Sequence, residues 1–421
     1  MTKRIALKGA AAALALAAGA LTAGTAAAQD CTTKIGAVLP TSVDWGRPIA
    51  ETAQWVVDQV NEAGGVHGCE IDMVLRDTQV DPKVGVDAAK ALVDLEGVDV
   101  LLGAVSSGVS MPILTSVTVP SDVLQMSCCS SSTAFTDLAK EGKTGGLFYR
   151  TFATSGVQAN VAAMVAAEQG YGSVAVLYKN DDWGQDVGSL TAEALRAKGI
   201  EVTVEVPLND GQPSYRAEVI EALETQPEAL YLALYPNEGI AAVREWISLG
   251  GSQNMILANS LKSEDFRESV GMQYLGDTLG TDTASPRTDS AASFVERYTE
   301  RFDGPPNGPG LANSYDATMI ALLAMQAAEP GAGGSGIAAE IGRVTDPDGT
   351  PVSADSDGFA EAREILADGG SVMYQGATGN VRFDEYGDVA APAVIWEFTE
   401  DGPTEVRYVT MEEIAAAGAG N

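Results

Sequence analysis

Residues able to do covalent chemistry are scarce in this chain. His67 is the single histidine among 421 residues, and the cysteines number four: Cys31, Cys69, Cys128 and Cys129. One imidazole assembles neither a Ser-His-Asp triad nor a histidine-based metal cluster. Asp181 and Asp182 are a carboxylate pair, but neighbours in sequence rarely flank a scissile bond as glycosidases require. No GxxxxGK[ST] phosphate loop is present. These absences argue against an enzyme, and no cofactor or metal is expected. What recurs instead is a hydroxyl, carboxamide or aromatic residue directly after a short apolar run. The stretches are Thr41-Ser42-Val43-Asp44-Trp45-Gly46, Ser106-Ser107-Gly108 and Ser127-Cys128-Cys129-Ser130-Ser131-Ser132-Thr133. They continue with Asn180-Asp181-Asp182-Trp183-Gly184, Tyr235-Pro236-Asn237-Glu238 and Asn259-Ser260-Leu261-Lys262. Such residues hold a small molecule reversibly: hydroxyl and backbone N–H donors suit an anionic group, and indoles add apolar area and stacking. Helix capping is the plainer role for Ser107, Ser131, Asp181 and Asp182.

The elements that position these stretches alternate regularly. Strands are expected at 34–39, 71–75, 98–102 and 123–126, with helices at 45–63, 82–95 and from about Met111. A second series has strands at 173–178, 201–206, 229–232 and 255–257, with helices at 184–198, 214–224 and 238–249. Strands alternating with helices imply parallel sheets with right-handed crossovers. The expected fold class is therefore α/β, with two doubly wound, Rossmann-like parallel-sheet lobes. In such sheets ligands sit outside the carboxyl ends of the strands, which is where the polar stretches fall. Trp45 and Trp183 occupy matching places in the two series. Beyond them come helices at 291–302 and 311–328, a Gly-, Pro- and Asp-rich surface loop at 330–357, and strands at 381–383 and 393–398 joined by an Asp384-Glu385-Tyr386-Gly387 turn.

The amino terminus reads as an export signal. Lys3, Arg4 and Lys8 precede the apolar run 10–20, and Ala26-Ala27-Ala28 forms a small-residue cleavage site. Residues 1–28 are thus expected to be removed and the rest to work outside the cytoplasm, in the periplasm. No later stretch approaches the roughly 18 apolar residues of a membrane helix. Cys31 follows Ala28-Gln29-Asp30 rather than small residues, which argues against a lipid anchor. Setting aside Lys3, Arg4 and Lys8 leaves 22 basic residues against 58 acidic ones, a formal charge of −36. That sign excludes nucleic acid as a partner. It suits a solvated surface in a salty medium, or a field that attracts cationic ligands. Cys31 and Cys69 each stand just before a strand. If those strands are parallel neighbours a disulfide joins them, contributing about 4 kcal/mol in the chain-entropy model. Adjacent Cys128 and Cys129 are expected as reduced, buried thiols.

Residues 33–400 resemble the type I periplasmic solute-binding proteins of ABC transporters, in the leucine/isoleucine/valine- and amide-binding group. The motifs are Ile35-Gly36-Ala37-Val38-Leu39-Pro40 leading to Asp44-Trp45-Gly46, and Val60-Asn61-Glu62-Ala63-Gly64-Gly65-Val66-His67-Gly68. Arg76-Asp77-Thr78-Gln79, Asp181-Asp182-Trp183-Gly184 and Phe383-Asp384-Glu385-Tyr386-Gly387-Asp388 come after them in order. The resemblance implies a ligand carboxylate held at Ser107, Cys129 and Ser131, with Ser106 beside them. It also implies an aromatic first-loop residue at Trp45, a covering residue at Trp183 and a cleft tyrosine near Tyr235. Amino-acid binders in the family use an acidic residue for the α-ammonium, and that position is Ser260 here. Either Asp182, Glu238 or Asp282 supplies the charge, or the ligand lacks an ammonium group.

The resemblance further implies two lobes closing on a small solute (an amino acid, carboxylate or amide) about three hinge crossings, near 150–154, 281–286 and 372–376. Lobe one is then 29–151 with 284–373, and lobe two 152–283 with 374–421. The closed form is delivered to ABC permease subunits in the membrane. The same fold also serves as the ligand-sensing subunit of signalling systems.

Overall fold

The protein is described by a computed structural model covering residues 1–2, 31–276 and 278–418. The expected export signal, with its basic start and alanine cleavage site, lies outside the described residues.

The first lobe is built on a parallel sheet of β1 (Thr32–Leu39), β2 (Glu70–Asp77), β3 (Val100–Gly103), β4 (Leu124–Ser127) and β5 (Phe148–Arg150), in the order β2-β1-β3-β4-β5. The apolar run of β1 is continuous because both faces are covered. Ile35, Ala37 and Leu39 enter one core while Val38 enters the other. β1 and β2 run parallel with Thr32 opposite Glu70, so the residues just before them sit side by side. Cys31 and Cys69 are accordingly bridged, with Cα atoms 4.8 Å apart.

The second lobe carries β6 (Ser173–Lys179), β7 (Glu201–Leu208), β8 (Ala229–Ala233), β9 (Met255–Leu257) and β10 (Leu279–Thr283). Farther along the chain, β11 (Thr350–Ser353), β12 (Val372–Gly376) and β13 (Gly379–Asn380) form a separate small sheet, and β14 (Ala393–Thr399) and β15 (Gly402–Val409) rejoin the second lobe. Its seven strands lie in the order β15-β14-β10-β9-β8-β6-β7, with β14 and β15 antiparallel. Val174 and Val176 face one core and Ala175 and Leu177 the other, the same two-sided burial as in β1.

The chain crosses between lobes three times. It leaves β5 at Arg150 for the helix Ser155–Glu168, whose Val161 and Ala162 pack with Val174 of the second lobe. It returns after β10 to the helix Asp289–Phe302, where Phe294 packs against Trp55 of the first. The third crossing lies later than expected. The strand β12, assigned to a hinge at 372–376 and to lobe two from residue 374, buries Val372 and Tyr374 in the first lobe's core. Asp316, on the helix Leu311–Ala327, holds it there by accepting from the Tyr374 hydroxyl and the amides of Ala377 and Thr378, each at 2.7 Å. The buried Arg150–Asp388 ion pair, at 2.7 Å, keeps 384–388 on the first lobe as well. Only with Ala393, on β14, does the chain enter the second sheet.

Two local expectations also change. The Asp384–Gly387 turn folds back onto Val389, which bridges Phe383, and does not make a hairpin with β14. The segment 330–357 is not a bare loop. It contains the helices Gly333–Ala339 and Ile341–Val344 and strand β11, because Ile337, Ile341, Val344 and Val352 are apolar enough to reach the first core. Among the described residues no helix is long and apolar enough to cross a membrane.

Candidate functional site

The carboxyl ends of β1, β3 and β4 in the first lobe face those of β6, β8 and β9 in the second, and a cavity of about 50 Å³ lies between them. Seven of the nine residues expected at a site line it: Trp45, Ser106, Ser107, Cys129, Trp183, Tyr235 and Ser260. Ile49, Val105, Phe152, Asn259, Pro309 and Gly310 complete the lining.

Local chain geometry aims each of these groups. Trp45 sits in a turn and Trp183 at the start of a helix; each is followed by glycine, and a Cβ at Gly46 or Gly184 would overlap the carbonyl oxygen of Pro40 or Lys179. Only glycine lets the turn fold back so closely on the strand end. Asp181 caps the helix Asp182–Ala197 by accepting from the Gly184 amide at 2.8 Å. The cap turns Trp183 inward, to 5% exposure, and leaves Asp182 exposed on the outside. Asp182 therefore does not reach the cavity. Tyr235 precedes the helix Pro236–Ser248, whose first residue is the proline that such a start favours.

The two lobes meet through these side chains. The Tyr235 ring stacks on Trp183 at 5.1 Å and on Trp45, from the other lobe, at 5.7 Å, with interplanar angles of 13° and 22°. Its hydroxyl donates to Ser106 Oγ across the cleft at 2.9 Å. Burial, with the nearby Asp181 carboxylate adding to it, pushes the Tyr235 hydroxyl far above its ordinary range, so it stays a neutral donor. Outside the cavity, Asp186 accepts from the Thr133 amide at 3.0 Å and from its hydroxyl, a second bridge between lobes.

Ser131 is buried but does not line the cavity. It accepts from the hydroxyl and amide of Ser155 at 3.1 and 2.8 Å, tying the first crossing to the loop after β4. Cys128 and Cys129 are not free thiols: they are joined to each other, and among the described residues no cysteine is free. Ser127 Oγ accepts from the amides of Cys129 and Ser130 at 3.3 and 3.1 Å, a tight turn that brings the two side chains together. His67 lies far from this cleft, its ring nitrogen bonded to the Met325 carbonyl at 2.9 Å. Phe152, Pro309 and Gly310 had no sequence signal as site residues; Phe152 lies in the first crossing and the other two in a Pro- and Gly-rich connection.

A cavity walled by the strand ends of two doubly wound lobes defines a class: a bilobal α/β protein of the binding-protein type. Comparison with known proteins agrees. The family model for periplasmic binding proteins matches residues 32–363. The substrate-binding protein BasB of a chemotactic signal transduction system from Halobacterium salinarum is 26% identical over 352 residues, covering 82% of this chain and 81% of that protein. The Leu/Ile/Val-binding protein BraC3 of Rhizobium johnstonii is 27% identical over 256 residues, covering 60% and 68%. The leucine-binding protein LivK of Thermotoga maritima superposes with a TM-score of 0.72 at 22% identity, over 90% of this chain and 99% of that one. The chain belongs to the periplasmic binding protein family, with the type I fold.

Proposed function

We propose that this protein is the periplasmic solute-binding component of an ABC transporter, capturing a small amino acid, carboxylate or amide and presenting the closed form to membrane permease subunits. The observation that carries the reading is the Tyr235–Ser106 hydrogen bond above a cavity walled from both lobes. A ligand there touches both lobes at once and so favours closure, which is a change of shape that a membrane partner can recognise. The similarity to Leu/Ile/Val-binding proteins supports the solute class. A thermal-shift screen of refolded protein tests it. A true ligand at 100 times its Kd adds about 2.7 kcal/mol, a clear rise in Tm, and a flat response to every amino acid, carboxylate and amide would sink the reading.

A second reading, as a chemotactic receptor subunit, is favoured by the similarity to BasB. Deleting the gene separates the two: loss of solute uptake supports transport, and loss of taxis with intact uptake supports sensing.

A further inference from the structure

The cavity contains no charged side chain among its described lining residues, which are apolar, aromatic, hydroxyl or carboxamide groups. Among the described residues no carboxylate lines it, and the acids of the surrounding elements have other partners or lie exposed, although Glu238 Oε2 and Asp282 Oδ1 are buried without a partner. Asp181 caps its own helix, and Asp182 is exposed outside the lining. Glu238 and Asp210 both pair with the buried ammonium of Lys179. Asp282 pairs with Lys262 at 3.3 Å in a neighbouring groove of about 630 Å³, across the shared wall of Phe152, Pro309 and Gly310. Ser260 donates its hydroxyl to the Leu234 carbonyl at 2.7 Å. An ammonium in this cavity would meet only dipoles, including the unpartnered Asn259 Oδ1. A buried cation without a counter-charge is strongly disfavoured. Aromatic walls do not substitute for the acid. The Tyr235 ring lies stacked on both indoles at 5.1 and 5.7 Å, and the Lys179 ammonium already sits 5.2 Å from its centroid.

The hydroxyls lean the other way. Ser106 Oγ accepts from Tyr235, and Ser107 Oγ accepts from the Ser132 amide at 3.2 Å. Each serine therefore keeps its own O–H to give, and two adjacent donors match the two oxygens of a carboxylate.

We propose that the site selects carboxylates lacking an α-ammonium group over the corresponding amino acids. The inference rests on the reading of this cavity as the solute site.

Matched pairs test it by calorimetry on the refolded protein: 3-phenylpropanoate against phenylalanine, and 4-methylpentanoate against leucine. The expected result is at least tenfold tighter binding of the amine-free member in one pair or both. A smaller preference, equal affinity, or preference for the amino acid overturns the proposal, as does capture of glycine betaine. Binding of none of the four carboxylates also overturns it. In that event a hit elsewhere in the solute screen would leave the solute-binding reading standing, so the two failures remain distinguishable. Ser260→Glu supplies the missing acid and is expected to shift the Kd ratio at least tenfold toward the amino acid. An unchanged ratio in a folded variant counts against the assignment of Ser260, and the wild-type pairs decide the matter if that variant does not fold.

Discussion

Asp316 sets two large effects against each other, and the balance is measurable. Its side chain is fully buried on the helix Leu311–Ala327 and accepts from Tyr374, the Ala377 amide, the Thr378 amide and the Thr378 hydroxyl, at 2.6–2.7 Å. Burial penalises the carboxylate; the four donors favour it. Burial wins, and the group is pushed up from 3.8 to about 6. Between those values the folded chain holds a proton that the unfolded chain has released. Asp316 thus favours folding most fully below pH 3.8, and that contribution fades as pH rises through about 6. A shift of this size corresponds to about 3 kcal/mol. With 58 acidic residues in the chain, raw pH profiles mix many titrations. The clean quantity is the difference between wild type and Asp316→Asn, whose amide does not titrate. Urea unfolding followed by tryptophan fluorescence at pH 4, 5, 6, 7 and 8 gives it. Wild type should lose about 2.5 kcal/mol relative to the variant between pH 4 and pH 8, the rest of the loss falling below pH 4. A flat difference, or one in which wild type gains as pH rises, would mean that the four donors match or outweigh burial, and would refute the ordering given above.

Other perturbations separate closure from stability. Tyr235→Phe removes the hydroxyl bridge to Ser106 but keeps the ring stack. Ligand affinity should fall roughly fivefold, as for one neutral hydrogen bond of about 1 kcal/mol, with the melting point little changed. An unchanged Kd would remove that bond from the closing mechanism. Cys31→Ser opens the bridge to Cys69, 38 residues away, and should cost about 4 kcal/mol of first-lobe stability in denaturant. Loss of ligand affinity under native conditions, with the fold retained, would show that the bridge also shapes the cleft.

Much of this site was legible in one dimension because doubly wound sheets place function at strand ends. Apolar runs such as 34–39 and 229–232 announce strands buried on both faces, and the residues just after each run face the cleft. Trp45, Ser106, Ser107, Trp183 and Tyr235 lie in such stretches and line the cavity between the lobes. Asp182 was not separable from Asp181, since either could cap the helix and successive residues point about 100° apart. The capping bond to Gly184 decides which aspartate turns in and which turns out. Ser131 shared its run with Ser130 and Ser132, and nothing in the run says which hydroxyl goes to the hinge. The third crossing was misplaced because β12 has the apolar alternation of any strand; the lobe it joins depends on Asp316, some sixty residues earlier.

The chain by itself determined the class of fold and the polar stretches at the strand ends, because these derive from periodicity, which is local; the Cys31–Cys69 bridge also needed β1 and β2 to be neighbours. The shape and charge of the cavity were decided only in three dimensions. Among the described residues its lining carries no charge, while Lys179 pairs with Glu238 and Lys262 with Asp282, partners brought together by sheet order. Buried charges must be neutralised wherever the fold puts them, and which acid remains free for a ligand is settled only once every such pair has formed.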